Sequence, residues 1–318
     1  MKKISFAFAC LGILLGLAAT RPSHAQNNFH SYVSMHGTGV ACTADAPCGD
    51  LGLAVQATVS QGVVSCVDGD PNSIVGFTIG KTVTIDCPGA LAASWFLTIN
   101  GAGIVVTLRN LTISSFGIGG NGGNPGIGID FQNGAALFVE HCVIENFQSA
   151  PGIGINFAPT SGSAKLHVTD SVIKNSGIPG GGGGIFVVPG AGASARVVIE
   201  RTQLENNSNG IFANASSGLA LIDVKDSTIA NSSIDGVFAF TTGSIVSIVL
   251  DHSVSLHSGG KGIQAKGTGA YVTLIASTVA WNAIGLTAIT GGLILSYQNN
   301  LIAGNPSPGT SPVSLSLQ

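Results

Sequence analysis

Two short patterns recur along this chain at intervals of 23 to 31 residues. One is a glycine followed by an aliphatic residue, and its copies begin at Gly128, Gly154, Gly184, Gly210, Gly236, Gly262 and Gly285. The other is an anchor residue, mostly small, that follows an apolar run at Leu111, Cys142, Ser171, Thr202, Ser227, Ser253, Ser277 and Asn300. Such a period is typical of solenoids, in which each repeat stacks on the next.

Apolar and polar residues alternate inside each repeat, as in Lys165-Leu166-His167-Val168. Alternation is typical of strands and excludes the helices of ankyrin or tetratricopeptide arrays. Glycine, with 46 of 318 residues, and a charged fraction of only 8% suit short strands joined by tight turns. The sequence therefore predicts an all-β solenoid, a parallel β-helix of about nine coils between Val83 and Asn305.

The ends of a solenoid need cover. Residues 50–60 carry apolar residues at helical spacing after Asp50, a good N-cap, and predict a short helix that caps the N-terminal end. At the other end we expect Pro306, Pro308 and Pro312 to stop strand pairing.

The first residues have the pattern of a secretory signal peptide. Lys2 and Lys3 precede an apolar run, and Ser23-His24-Ala25 forms a cleavage site. We expect an exported protein, periplasmic or extracellular, without membrane insertion. After cleavage, nine basic side chains (twelve less Lys2, Lys3 and Arg21) face fifteen acidic ones, which argues against nucleic acid as a partner.

Four cysteines lie close together in the sequence, at Cys42, Cys48, Cys66 and Cys87. In an oxidising compartment they predict two structural disulfides rather than a metal site. Three connectivities are open, of which Cys42–Cys48 with Cys66–Cys87 is favoured. We divide the chain into a signal peptide (1–25), a disulfide-bearing cap with the first coil (26–80), the β-helix (81–305) and a C-terminal tail (306–318).

The remaining cysteine after cleavage, Cys142, occupies an anchor position held elsewhere by serine or threonine, which predicts a small buried residue rather than a nucleophile. Four residues after the anchors, asparagines recur at Asn146, Asn175, Asn206 and Asn231. Asparagine tolerates the left-handed conformation of a tight turn, and stacked asparagines can hydrogen-bond along the axis. We expect a structural asparagine ladder.

Further motifs carry a resemblance to a known group. They are Tyr32-Val33-Ser34, Gly37-Thr38-Gly39, Ala46-Pro47-Cys48, Gly62-Val63-Val64 and Ser296-Tyr297-Gln298-Asn299-Asn300. With the coil pattern they resemble secreted bacterial right-handed parallel β-helix repeat proteins of the pectin-lyase-like superfamily. The resemblance implies a right-handed coil. It also implies a setting in which enzymes cleave or epimerise acidic polysaccharides, but the Asn-Thr-Asp and Gly-His-Gly motifs of polygalacturonases are absent here.

One segment, Leu250-Asp251-His252-Ser253, is similar to a segment of the pectate lyases, which makes Asp251 and His252 weak catalytic candidates. In the stack, however, Asp251 would lie over Lys225, and His252 over Asp226. Alternating charges in successive coils are also what a structural charge ladder requires, and we favour the ladder.

A different site follows from the strand that begins at each repeated glycine. Its inward residues are apolar, so the residues between them point outward. We name these the outward column: Asp130, Asn156, Phe186, Phe212, Phe238 and Gln264. Three successive phenylalanines need an explanation. Three explanations are possible. The loops Pro189–Ala195 and Thr241–Ser247 cover the phenylalanines, a homo-oligomer or other partner contacts them, or sugar rings stack on them.

The leading hypothesis is an exported β-helix that binds a polysaccharide or other surface glycan through the outward column, without catalysis, cofactor or metal. One alternative is a polysaccharide lyase, hydrolase or epimerase with a divergent site. Another is a structural surface protein with the phenylalanines as its interface. The sequence does not decide whether the protein is an enzyme.

Overall fold

The computed structural model describes residues 28–68, 76–93, 96–115 and 126–316. The expected signal peptide, residues 1–25, lies outside the described residues. Within these described residues nearly all regular structure is β-strand, with one short helix, α1 (Leu51–Ala57). Among the described segments, no helix has the length and hydropathy to cross a membrane.

The strands of the first half are β1 (Asn28–Val33), β2 (Thr58–Cys66), β3 (Phe77–Ile79), β4 (Val83–Ala93), β5 (Leu97–Asn100), β6 (Val105–Ser114), β7 (Ile127–Asn133), β8 (Ala136–Glu140), β9 (Val143–Glu145), β10 (Ile153–Phe157), β11 (Ser163–Thr169), β12 (Val172–Lys174), β13 (Gly183–Val187), β14 (Ser194–Glu200) and β15 (Gln203–Glu205). Those of the second half are β16 (Asn209–Asn214), β17 (Leu219–Lys225), β18 (Thr228–Ala230), β19 (Val237–Phe240), β20 (Ile245–Asp251), β21 (Val254–Leu256), β22 (Lys261–Lys266), β23 (Ala270–Ile275), β24 (Thr278–Ala280), β25 (Ile284–Ile289), β26 (Leu293–Ser296), β27 (Leu301–Ala303), β28 (Ser307–Gly309) and β29 (Val313–Ser314).

These strands stack in parallel on three faces, so that each coil pairs with the coil before and the coil after it. Face 1 holds β1, β2, β4, β6, β8, β11, β14, β17, β20, β23, β26 and β29, and face 2 holds β9, β12, β15, β18, β21, β24 and β27. The long strands β4 and β6 run round the corner between these two faces, so that they form one sheet of 19 strands. Face 3 is a separate sheet of ten strands, β3, β5, β7, β10, β13, β16, β19, β22, β25 and β28. The predicted parallel β-helix is therefore confirmed.

The aliphatic residue after each repeated glycine fills the interior of the rod. These residues lie in register on face 3 and are almost completely buried: Ile129, Ile155, Ile185, Ile211, Val237, Ile263 and Leu286. Each such side chain contributes roughly 1.5–3 kcal/mol by leaving water. Because every coil repeats this burial, the core is a continuous column and not a central cluster.

The corner between faces 1 and 2 is built the same way in successive coils. From Leu111 to Ser277, the residue before each anchor has a positive φ, as at Asp226 (φ 48°) and His252 (φ 48°), and the anchor is then buried. Anchor hydroxyls link the coils, because Ser253 Oγ accepts a hydrogen bond from the Ser227 backbone N–H at 3.2 Å. Cys142 lies buried in this column, and desolvation raises the pKa of its thiol to about 11. It fits the prediction of a small buried residue.

The corner between faces 2 and 3 holds the recurring asparagines. Asn146, Asn175, Asn206 and Asn231 all have positive φ, as a tight turn requires. Within this set, only one side-chain hydrogen bond links two members: Asn175 Nδ2 donates to Asn146 Oδ1 at 3.2 Å. The expected ladder is thus only partly formed, because Asn206 and Asn231 expose their side chains to water.

Inward hydrogen bonds at this corner come from the next position in the coils that carry an asparagine there, which are Asn207, Asn282 and Asn305. Asn282 is fully buried, accepts the Ser258 backbone N–H at 2.8 Å and donates to the Ser255 carbonyl at 3.1 Å. Asn207 donates in the same way to the Ile173 carbonyl at 2.9 Å. The left-handed residue turns its own side chain outward and the following side chain inward, which is why the ladder lies one residue later than expected.

The N-terminal end is closed as the sequence predicts. The Asp50 side chain accepts the Leu53 backbone N–H at 2.8 Å and so caps α1, which buries Leu51, Ala54 and Val55. Two disulfides, Cys42–Cys48 and Cys66–Cys87, link this region together, and both pairings match the favoured connectivity. The second one ties β2 to β4 in the next coil.

The C-terminal end differs from the expectation. The prolines do not stop strand pairing at residue 305, since β28 pairs with β25 and β29 pairs with β26. Ser307 and Thr310 donate the backbone hydrogen bonds to the preceding coil, at 3.3 and 2.9 Å. Pro308 lies between these donors, where the pairing asks for no N–H from it, and a proline is tolerated in such an outermost strand.

Candidate functional site

The outward column forms as one row across face 3. Asn156 pairs with Asp130 in the coil before it and with Phe186 in the coil after it. The row continues through Phe212 and Phe238 to Gln264 by the same register. The six predicted residues are therefore neighbours in successive strands.

The three phenylalanines, which we name the Phe cluster (Phe186, Phe212 and Phe238), are in ring contact. The centroids of Phe186 and Phe212 are 4.8 Å apart, and those of Phe212 and Phe238 are 5.3 Å apart with the rings edge to face. All three side chains are half-buried. The cluster thus presents a partly accessible aromatic surface three coils long.

A cavity of about 420 Å³ lies over the Phe cluster. Besides the cluster it is lined by Gly180, Gly181, Gly182, Asn209, Ile234, Asp235, Lys261, Gln264 and Lys266. Its wall comes from the corner between faces 2 and 3, where residues 180–182 and 234–235 precede β13 and β19. Neither of the loops expected to cover the phenylalanines, Pro189–Ala195 and Thr241–Ser247, contributes a lining residue.

Asp235 is the lining residue whose pKa is shifted by its surroundings. It is only 2% exposed, its Oδ1 accepts the Lys261 backbone N–H at 2.8 Å, and Lys261 Nζ lies 3.8 Å from the same oxygen. Burial removes water from the carboxylate and raises the pKa of Asp235 above its usual value, against the opposing effect of Lys261. Sequence reasoning missed this residue.

A signal for Asp235 was present in the sequence. Asn209, Asp235 and Lys261 directly precede the glycines Gly210, Gly236 and Gly262, so they form a polar column beside the Phe cluster. Asn209 Nδ2 donates to the Gly182 carbonyl at 2.8 Å and so fixes the glycine-rich segment at the cavity wall.

Gln264 and Lys266 close the far side of the cavity. Gln264 is 5% exposed, and no hydrogen bond joins its side-chain amide to another described residue. Lys266 Nζ lies 5.6 Å from the ring centroid of Phe240, within cation–π range. Phe240 in turn packs 6.0 Å from Phe238, which extends the aromatic surface.

Asp130 and Asn156, at the other end of the outward column, do not line the cavity. Asn156 Nδ2 donates to Asp130 Oδ1 at 2.7 Å, and Gln132 Nε2 donates to Asp130 Oδ2 at 2.7 Å. Both carboxylate oxygens of Asp130 are therefore engaged within the protein. The outward column divides into four residues at the cavity and two that bond to each other.

The weak catalytic candidates lie elsewhere. Asp251 and His252 are at the corner between faces 1 and 2, and His252 Nδ1 is 2.7 Å from Asp251 Oδ1 within the same coil. Lys225 stands in register with Asp251, but the described ion pair of His252 is with Asp251 and not with Asp226 as expected. The carboxylate of Asp251, one residue away in the chain, is closer to His252 than that of Asp226 in the preceding coil.

The charge ladder is present in the earlier coils of the same corner. Arg109 Nη2 lies 2.8 Å from Glu140 Oε2, and Arg201 Nε lies 2.7 Å from Asp170 Oδ1. Arg201 lowers the pKa of Asp170 by hydrogen bonding to it. These are surface pairs, which contribute little to stability.

Comparisons with known proteins agree with this architecture. A family model described as a right-handed β-helix region matches residues 97–249. No curated protein and no solved structure matches the chain. Over the residues that the structure describes, no three His, Cys, Asp or Glu side chains are grouped to hold a metal ion. The stacked parallel strands and the family match together show that the chain is a right-handed parallel β-helix repeat protein.

Proposed function

We propose that this protein binds carbohydrate in the cavity over the Phe cluster and performs no chemistry on it. The observation that carries the proposal is the composition of the cavity wall, which combines three aromatic rings with polar and charged side chains. A right-handed β-helix region is compatible with carbohydrate-related proteins. The volume of about 420 Å³ is in the range of small-molecule sites.

Sugar rings suit such a wall for a physical reason. One side of a pyranose ring carries C–H groups and packs on an aromatic ring, while its edge carries hydroxyls that need donors and acceptors. The Phe cluster supplies the first surface, and Asp235, Lys261 and Gln264 supply the second. Three rings in successive coils form an extended surface, as a chain of sugars requires.

The cavity favours binding over cleavage. Acid–base cleavage of a glycosidic bond ordinarily uses two carboxyl groups, about 5 to 10 Å apart. Asp235 is the one carboxylate among the described lining residues. Asp251 and His252, the candidates for a divergent enzyme, lie at a different corner of the rod.

The test is native affinity electrophoresis of the mature protein in gels cast with neutral or acidic polysaccharides. We expect retardation in at least one gel and its loss in a variant carrying Phe186→Ala, Phe212→Ala and Phe238→Ala. Phe138→Ala is the matched control, because Phe138 is also half-buried but stacks on His167 on face 1, 5.0 Å between centroids. Unchanged retardation of a folded triple variant would contradict the proposal.

Two other outcomes separate the alternatives. If no gel retards the protein and its sedimentation coefficient rises with concentration, the Phe cluster is a contact between copies. If a bound polysaccharide is shortened or epimerised, and Asp251→Asn with His252→Ala abolishes this, the protein is an enzyme.

We propose that the protein acts in the periplasm or outside the cell. Two disulfides are compatible with an exported protein, because such bonds persist in oxidising compartments. Fractionation of cells that express the full chain tests this, with the mature protein expected outside the cytoplasm.

A further inference from the structure

We propose that the sugar held in this cavity is a neutral one, recognised by its hydroxyl groups through Asp235 and Gln264. The inference rests on the proposed function and deepens it, since it names the class of ligand and the residues that select it.

Asp235 offers the cavity one carboxylate oxygen. Its Oδ1 is engaged by the Lys261 backbone N–H at 2.8 Å, while Oδ2 has no hydrogen-bond partner among the described residues. Oδ2 is not among the fully buried side-chain atoms without a partner, so it keeps access to the cavity that Asp235 lines. Such an arrangement is typical of a group that receives its partner from a ligand.

Gln264 also offers the cavity a side-chain group without a described hydrogen-bond partner, in this case a neutral amide. It is 5% exposed, lines the cavity and has neither amide atom hydrogen-bonded to a described residue. Its amide atoms are not among the fully buried atoms without a partner, so they keep access to the cavity, where a donor and an acceptor are left for an occupant. Its place in β22, in register with Phe238, sets it beside the aromatic surface.

The two groups together match hydroxyls. A sugar hydroxyl donates one hydrogen bond and accepts others, so it can donate to Asp235 Oδ2 while a neighbouring hydroxyl bonds the Gln264 amide. Lys261 Nζ, 3.8 Å from Asp235 Oδ1, adds a donor at the same wall.

The charges at the cavity favour a neutral ring over a uronate. A carboxylate ligand would have to enter beside the buried carboxylate of Asp235, where repulsion is weakly screened. Lys261 is already paired with Asp235, and Lys266, which is only half-buried, lies over the ring of Phe240. The charge of Lys261 is thus offset by Asp235, although its N–H groups can still donate, and Lys266 at the partly exposed rim adds little attraction.

The experiment is calorimetric titration of the mature protein with neutral gluco-, manno- and xylo-oligosaccharides and with oligogalacturonate of equal length. We expect at least one neutral series to bind more tightly than oligogalacturonate. Asp235→Asn and, separately, Gln264→Met are each expected to weaken binding of that neutral ligand by about ten-fold or more, because the first replaces a charged acceptor by an amide donor and the second removes the amide. Circular dichroism confirms that each variant is folded.

Asp130→Asn is the matched control, since Asp130 lies in the same outward column but outside the cavity with both oxygens engaged. It is expected to leave the affinity unchanged. Tighter binding of oligogalacturonate, lost in the variant without the Phe cluster, would overturn this inference and leave the proposed function standing. Full neutral-sugar affinity in both cavity variants would also overturn it, and no binding by any oligosaccharide would remove the proposed function as well.

Discussion

The ring of Phe212 meets the ring of Phe238 edge to face, with 5.3 Å between the two centroids. Phe212 also contacts Phe186 at 4.8 Å, so it is the central member of the Phe cluster. The cluster therefore has a structural role beside any role in binding.

Phe212→Ala should lower the free energy of unfolding by about 1–3 kcal/mol. It removes two aromatic contacts, each worth about 0.5–1.5 kcal/mol, from a half-buried position. Phe131→Ala, at a fully buried position inside the same sheet, should cost more, about 3–5 kcal/mol. Urea unfolding of both variants measures this, and equal losses would mean that Phe212 is a core residue and not a surface one.

Asn282→Ala should lower the free energy of unfolding by about 2–4 kcal/mol. The Ser258 N–H and the Ser255 carbonyl would lose their partner inside the rod. Asn231→Gly is the comparison, because Asn231 is exposed at a left-handed turn that glycine adopts freely, and it should change stability by no more than about 0.5 kcal/mol. A larger effect at Asn231 than at Asn282 would contradict the assignment of the inward ladder.

Removing the Cys66–Cys87 disulfide should cost more than removing Cys42–Cys48. The two bonds close loops with sequence separations of 21 and 6 residues. Loop entropy in the unfolded chain then gives about 3 kcal/mol for the longer loop and about 2 kcal/mol for the shorter one. Thermal unfolding of the two double-alanine variants tests the order, which would be reversed if the shorter loop held the cap in place.

Asp235→Asn should not destabilise the protein at neutral pH. The folded pKa of Asp235 is raised by burial, so its ionised form is disfavoured in the fold. The stability associated with its protonated form is fully present below the unfolded pKa and is lost as pH rises through the folded pKa. The stability of the wild type relative to Asp235→Asn should therefore increase on acidification through that window. The check is denaturant unfolding of both proteins at several pH values, where the opposite trend would mean that Lys261 dominates.

Much of this fold follows from the sequence because its causes are local and repeated. The spacing of Gly210, Gly236 and Gly262 predicts the coil, and the alternation around them predicts that Phe212 and Phe238 share an outer row. Residues 50–60 likewise predict the capping helix, and the four clustered cysteines predict the two disulfides.

The composition of the cavity did not follow in the same way. Asp235 and Gln264 are buried residues of a cavity wall that also includes corner residues 180–182, and the conformation of a corner does not follow from the period. The predicted asparagine ladder lies one residue before the observed one for a related reason. Periodicity identifies a turn, but the φ angle at Asn231 decides which side chain faces inward.

The corner between faces 1 and 2 has a consequence for how such a protein can diversify. From β8 to β24 two residues, such as His141 and Cys142, always separate the strands there, whereas the other two corners vary in length. Between β8 and β24, length differences therefore accumulate at the edges of face 3. Descendants of this chain can thus acquire new ligand preferences beside the Phe cluster while the rod that supports it is inherited unchanged.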